Sequence, residues 1–166
     1  MVEPRADGAL DVSALPQVSL RLLLPRDAAS IPIVRHLSEH ALRELGSRPG
    51  CASDVGLAIT EACANVIQHA ANGEVYTINV CIEADACEIS IIESGAGSFD
   101  EEGAAASVAA RARDALSESG RGIAIINAVM DDLSFEVRPE SGTLLRMVKN
   151  LDFDPDSPAR RLLLVG

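Results

Sequence analysis

Glu61-Ala62-Cys63-Ala64-Asn65-Val66-Ile67-Gln68-His69-Ala70 is the stretch on which the fold turns. Glu61, Asn65 and His69 recur every four residues, so on a helix they share one face. Ala62, Val66 and Ala70 mark the buried side next to it. A carboxylate one turn before a carboxamide suits phosphoryl transfer. The amide oxygen of Asn65 offers Mg2+ a neutral, hard ligand, and that ion keeps several of its waters. The carboxylate of Glu61 can orient or deprotonate an attacking hydroxyl. The plain alternative is an amphipathic helix with a polar stripe, and this box alone does not decide between the two.

Working outward, the helix that carries the box spans about Ala52 to Ala70, with Leu57, Ile59, Ala62, Val66 and Ala70 as its buried side. Upstream, Val18, Leu20, Leu22 and Leu24 alternate with Ser19, Arg21 and Leu23, which predicts a strand ended by Pro25. Asp27 or Ser30 caps a following helix whose apolar face is Ile33, Val34, Leu37, Ala41, Leu42 and Leu45, and Gly46 stops it. Downstream, Asn72-Gly73 is a turn, and Val75–Glu83 and Cys87–Glu93 are strands joined through Ala84-Asp85-Ala86. Residues 94–119 hold Gly, Ala, Ser and acids with few large apolar groups, the texture of a mobile lid or a solvated helix. A third helix is expected over Ile123–Leu133, then strands Ser134–Arg138 and Thr143–Leu151 around the turn Pro139-Glu140-Ser141-Gly142. This order predicts an α/β chain: a two-layer sandwich with a mixed, mostly antiparallel sheet covered by helices on one face. Residues 1–16 are expected as a flexible N-terminal tail, 17–151 as one domain and 152–166 as a C-terminal tail.

Three further motifs follow the box. Glu93-Ser94-Gly95-Ala96-Gly97 ends a strand on a carboxylate, and its glycines permit a tight turn and the close approach of a flat ligand. Ser119-Gly120-Arg121-Gly122-Ile123-Ala124-Ile125-Ile126, with Met130-Asp131 beyond, opens a helix on glycines. Its free N–H groups and dipole make an anion site, to which Arg121 adds a charged donor. Gly142-Thr143 begins the last strand. Each motif has an ordinary reading, as a Gly-rich turn or a simple helix start; their order and separation are far more specific.

In that order, the motifs resemble the histidine-kinase-like ATPase superfamily, and within it the small stand-alone anti-sigma-factor serine/threonine-protein kinases of bacteria. The resemblance spans roughly residues 18–151. It implies that Asn65 binds the metal and Glu61 is the catalytic base. It also implies that Glu93, Gly95 and Gly97 hold the adenine, that the backbones of Gly120, Arg121 and Gly122 hold the triphosphate, and that Thr143 closes the base pocket. The cofactors implied are ATP and Mg2+. The reaction implied moves the γ-phosphoryl group to a Ser or Thr of a small anti-anti-sigma (STAS-type) partner, with alternate binding of a sigma factor; a homodimer is implied as well. The family has Asp where this chain has Glu93, one methylene longer. A catalytically degraded module of the same fold, sequestering a regulator without kinase activity, is therefore the alternative.

Composition sets outer limits. The chain has 166 residues, 48% of them hydrophobic, with one Tyr, three Phe and no Trp, so its core is aliphatic. A net charge of −11 repels nucleic acid and anionic membrane. No apolar run approaches the ~20 residues of a membrane span, and the N-terminus lacks a signal-peptide layout, so a cytoplasmic protein is expected. Cys51, Cys63, Cys81 and Cys87 show no metal or redox spacing and are expected as reduced thiols, mostly buried. His36-Leu37-Ser38-Glu39-His40 fits a zinc-peptidase pattern, H-x-x-E-H. With no third ligand identifiable, it is better explained as a solvated helix face.

Overall fold

The computed structural model describes residues 16–69, 74–93, 120–138 and 142–163. The expected N-terminal tail, the turn at Asn72-Gly73 and the segment 94–119 with Gly95 and Gly97 lie outside them, but for Pro16. The elements are β1 (Gln17–Pro25), α1 (Ser30–Glu44), α2 (Pro49–His69), β2 (Val75–Glu83), β3 (Ala86–Glu93), α3 (Gly120–Val129), β4 (Asp132–Arg138), β5 (Gly142–Asn150) and α4 (Pro158–Leu162).

The five strands form one sheet in the order β1-β2-β3-β5-β4. A mixed sheet was expected, yet all four pairings are antiparallel. The connection from β3 through α3 to β4 joins strands that run the same way, but β5 lies between them, so no parallel pair forms. On the outer face Arg146 of β5 bonds Glu88 of β3 at 2.7 Å and Asp132 of β4 at 3.3 Å. These pairs are half-exposed and add little to stability; they fix register.

Alternation decides which face is covered. Tyr76, Ile78, Val80 and Ile82 of β2 and Cys87, Ile89 and Ile91 of β3 are buried, while their neighbours Thr77, Asn79, Cys81 and Ser90 are only half-buried. Against this row α2 sets Ala52, Val55, Ala58, Ile59, Ala62 and Cys63. Burying one Ile or Val of this kind contributes roughly 1.5–3 kcal/mol. The small residues let α2 lie close, and Gly56 does the same toward α1: a Cβ there would collide with the Glu39 carboxylate.

Several boundaries and faces differ from expectation. Leu57, placed on the buried side, is 41% exposed, because it lies one turn before Glu61 on the polar stripe. Ile33 and Leu37 are exposed too, while Ser30 and Ser38 are buried with α1's core side. Ser38 bonds the Val34 carbonyl at 2.8 Å, and the Ser30 hydroxyl meets Tyr76 OH at 2.8 Å, so neither costs an unpaired polar group. The third helix ends at Val129, not Leu133: Asp131 N already bonds Val148 O at 2.9 Å, and Leu133 pairs with Met147 in β4. Within the expected C-terminal tail, residues 152–163 pack onto the domain. Phe153, Ala159 and Leu163 join the core, and Ala159 N bonds Leu45 O at 3.0 Å. Gly46, with φ +83, turns the chain there, and a Cβ on it would stand 2.5 Å from Ser157 Cβ.

Candidate functional site

The box helix and the glycine-opened helix pack against each other. α2 and α3 run antiparallel. At one end Gly122 lies against Glu61 and Asn65; at the other Lys149 joins Asp54 of α2 to the Val129 carbonyl of α3. A Cβ on Gly122 would stand 3.1 Å from Glu61 Oε2, 3.5 Å from Asn65 Oδ1 and 3.6 Å from Asn65 Nδ2. Its φ is outside the left-handed region, so backbone shape does not call for glycine, and a Cβ there would press only on the end of the Glu61 side chain.

Asn65 Nδ2 is buried and finds no hydrogen-bond partner among the described residues. A buried donor left alone costs roughly 1–3 kcal/mol, so the position invites a ligand. Turning the amide by half a revolution exchanges its two atoms and presents Oδ1 instead. That oxygen is the donor a hard dication takes. Among the described residues no three His, Cys, Asp or Glu are grouped to hold a metal. An ion here would rest on Asn65, on waters and on the phosphates it accompanies, which is the usual habit of Mg2+.

The N-terminus of α3 is the segment expected to meet an anion. Gly120 begins the helix with open space on its Cβ side, Arg121 is exposed, and Gly122 is buried against α2. The first N–H groups of a helix lack internal partners and carry the positive end of its dipole.

The residues expected at the base lie at strand termini. Glu93 is the last residue of β3 and pairs directly with Thr143 of β5, the second residue of that strand. Tyr76 stands opposite Glu93 on the other side. The two residues assigned to the adenine are thus neighbours, although far apart in sequence. Gly95 and Gly97 lie outside the described residues, so their place beside Glu93 stays an expectation.

Cys63, inside the box, faces the core. Burial pushes its thiol up to about 11, against a hydrogen bond with Tyr76 that pulls it down. It packs and does not react. Sequence reading missed Asp54 and Lys149. Asp54 stands seven residues before Glu61, on the same face, and Lys149 is the chain's single lysine; both signals were available. The H-x-x-E-H residues are otherwise engaged. Glu39 bonds Arg43 at 2.8 Å and lies on Gly56, and His40 stands 4.0 Å from Glu44.

The family described as histidine kinase-like ATPase domain matches residues 24–149. The chain belongs to that family. Among relatives of the ATPase domain is the serine-protein kinase RsbW of Bacillus cereus strain Q1, 27% identical over 136 residues, which are 78% of this chain and 83% of the relative. The serine-protein kinase RsbW of Halalkalibacterium halodurans is 28% identical over 141 residues, 82% of this chain and 85% of the relative. A crystal structure of RsbU and RsbW domains from Mycobacterium tuberculosis shares the fold, with a TM-score of 0.58 and 16% identity over 81% of this chain and 32% of that one. A chain of the SiaB–SiaC complex from Pseudomonas aeruginosa does so with a TM-score of 0.56 and 18% identity, over 78% of this chain and 88% of that one. The shared ATPase domain implies ATP binding and a kinase-like protein. Among the described residues no helix is long and apolar enough to cross a membrane.

Proposed function

We propose that the protein is a Mg-ATP-dependent serine/threonine kinase of the anti-sigma type, with residues 17–151 as its catalytic domain. Its substrate is a hydroxyl on a small anti-anti-sigma partner of the STAS type, and its other partner is a sigma factor. We place it in the cytoplasm, as a homodimer. The observation that carries this reading is the junction of Gly122 with Glu61 and Asn65, including the orphaned amide of Asn65.

In this reading the amides of Gly120, Arg121 and Gly122 take the phosphate oxygens, and Arg121 adds a charged donor. Asn65 presents its oxygen to the metal, which when bound offsets charge on the β- and γ-phosphates. Glu61 takes the proton of the partner's hydroxyl. The hydroxyl oxygen forms a bond to the γ-phosphorus, the bond from that phosphorus to the bridging oxygen breaks, and ADP leaves with the electron pair. Glu93, Gly95, Gly97 and Thr143 hold the adenine.

Calorimetry with millimolar Mg-ATP, followed by transfer of labelled γ-phosphate to a STAS-type partner, tests the proposal. Binding and transfer support it. Binding of neither nucleotide nor metal overturns it in favour of a regulator-binding module without catalysis. The glutamate at position 93, where the family carries the shorter aspartate, is the one feature that favours that second reading.

A further inference from the structure

The chain has fourteen basic residues, and thirteen are arginine; the single lysine, Lys149, occurs where three elements meet. Its side chain is only 15% exposed. Nζ donates to the Val129 carbonyl at 2.7 Å and stands 2.9 Å from Asp54 Oδ2. Val129 is the last residue of α3, and Asp54 is on α2. Two further bonds fix the same corner: Asn150 N donates to Asp131 Oδ2 at 2.7 Å, and Asp131 N to Val148 O at 2.9 Å. Burial disfavours the charge on Lys149, but Asp54, first by its hydrogen bond, and then Asp131 outweigh it and hold the ammonium above the ordinary lysine range. A cation at a helix C-terminus complements the dipole. A compact ammonium with three donors reaches the carbonyl and the carboxylate at once.

The opposite end of α3 is the end that faces the phosphates. A ten-residue helix is a rigid rod about 15 Å long, and it rises about 1.5 Å per residue. A slide of one such step moves Gly122 off Glu61 and Asn65, which a Cβ on it would meet at 3.1 Å and 3.5 Å. We propose that Lys149 is a positioning residue for the nucleotide: by fastening the C-terminus of α3 to Asp54 of α2, it sets the height at which the glycine N-terminus of α3 meets the phosphates. This rests on the ATP-binding reading above. The base end, at Glu93 and Thr143, is carried by strands and is not moved by the fastening.

The test uses the full chain and Lys149→Met. Amide hydrogen exchange without nucleotide is expected to rise about tenfold or more within residues 123–129, and to stay near wild type in β2 and β3. Affinity for Mg-ATP is expected to fall about tenfold or more, with AMP changing less than about twofold. Unchanged exchange in α3, a rise of equal size across the sheet, or equal weakening of ATP and AMP would each overturn the proposal and indicate a merely structural lysine. A wild-type protein that binds no ATP overturns the functional reading itself, and so is told apart from failure of this one. Should Lys149→Met not fold, Asp54→Asn, which loosens the same fastening, must give the same two signatures, and their absence there overturns the proposal equally.

Discussion

Gly122 leaves 3.1 Å between its missing Cβ and Glu61 Oε2, with Asn65 Oδ1 at 3.5 Å on the same side. The position is helical and needs no left-handed backbone. Alanine is therefore acceptable to the helix; its Cβ meets Asn65 at ordinary contact distance and shifts only the Glu61 carboxylate, by a few tenths of an ångström. Gly122→Ala should keep or slightly raise the melting temperature, since alanine is about 0.8–1.0 kcal/mol better than glycine inside a helix. Phosphoryl transfer should fall tenfold or more as Glu61 is pushed aside. Melting and transfer measured on the same preparation check this; loss of both together would mark Gly122 as structural only.

Asn65 and Glu61 should separate binding from chemistry. Asn65→Ala removes an amide whose buried nitrogen has no partner among the described residues, so stability should hold or improve while Mg-dependent nucleotide binding is lost. Glu61→Gln keeps the shape and removes the base. Binding should persist and transfer should drop by roughly 10²–10⁴, the usual worth of a positioned base. Calorimetry and a transfer assay on both variants decide it, and equal loss of binding in the two would reverse the assignment.

Glu93 tests the base end. Its cross-strand partner is Thr143, so Glu93→Asp shortens one wall of the adenine site by a methylene. A hydrogen bond to a charged group is worth about 1.5–3 kcal/mol. ATP affinity should therefore change by about tenfold or more, tightening as the family's shorter reach is restored. Titration of wild type and variant checks this, and equal affinities would remove residue 93 from the adenine.

The thiols carry a pH prediction. Burial raises Cys63 from 9.0 to about 11, so the folded state holds that proton more tightly than the unfolded state. The stability this gives is complete below the ordinary value of 9.0 and is lost as pH climbs toward 11. Melting temperature should fall across that window in wild type, and fall less in Cys63→Ala. Burial likewise pushes Cys87 up to about 12, so alkylation of the native protein near neutral pH should reach Cys51 and Cys81 before Cys63 or Cys87. Mass spectrometry of labelled peptides checks the order.

The legible parts of the chain were those with short-range signals. Alternation from Val18 to Leu24, the turn at Ala84-Asp85 and the four-residue beat of Glu61 and Asn65 each depend on neighbours a few positions away. What escaped depends on remote partners. Leu57 is apolar like a core residue, yet the stripe it shares with Glu61 and Asn65 leaves it 41% exposed. Asp131-Asp132 breaks the apolar run from Ile123 before Leu133, but two acids fit a helix end or a turn equally well, and it is the sheet that fixes the change from α3 to β4 through Val148 and Met147. Phe153 and Leu163 sit in Pro- and Asp-rich sequence that reads as tail, and remote pairings, Phe153 with Ser47 and Ala159 N with Leu45 O, bring that segment onto the core. The side-by-side placement of Glu93 and Thr143 follows from strand order, which no local pattern encodes.

That strand order has a consequence for how the protein is made. β5, completed at Asn150, is inserted between β3 and β4. A chain that stops at Arg138 carries Glu61, Asn65 and Gly122, yet it lacks Thr143 and leaves uncovered the β3 edge that β5 pairs with. Neither the strand partner of Glu93 nor the lysine that bonds the Val129 carbonyl is present until the last strand is in place. A truncated product therefore offers an unpaired β3 edge to other strands, and aggregation of such a fragment is the expected outcome.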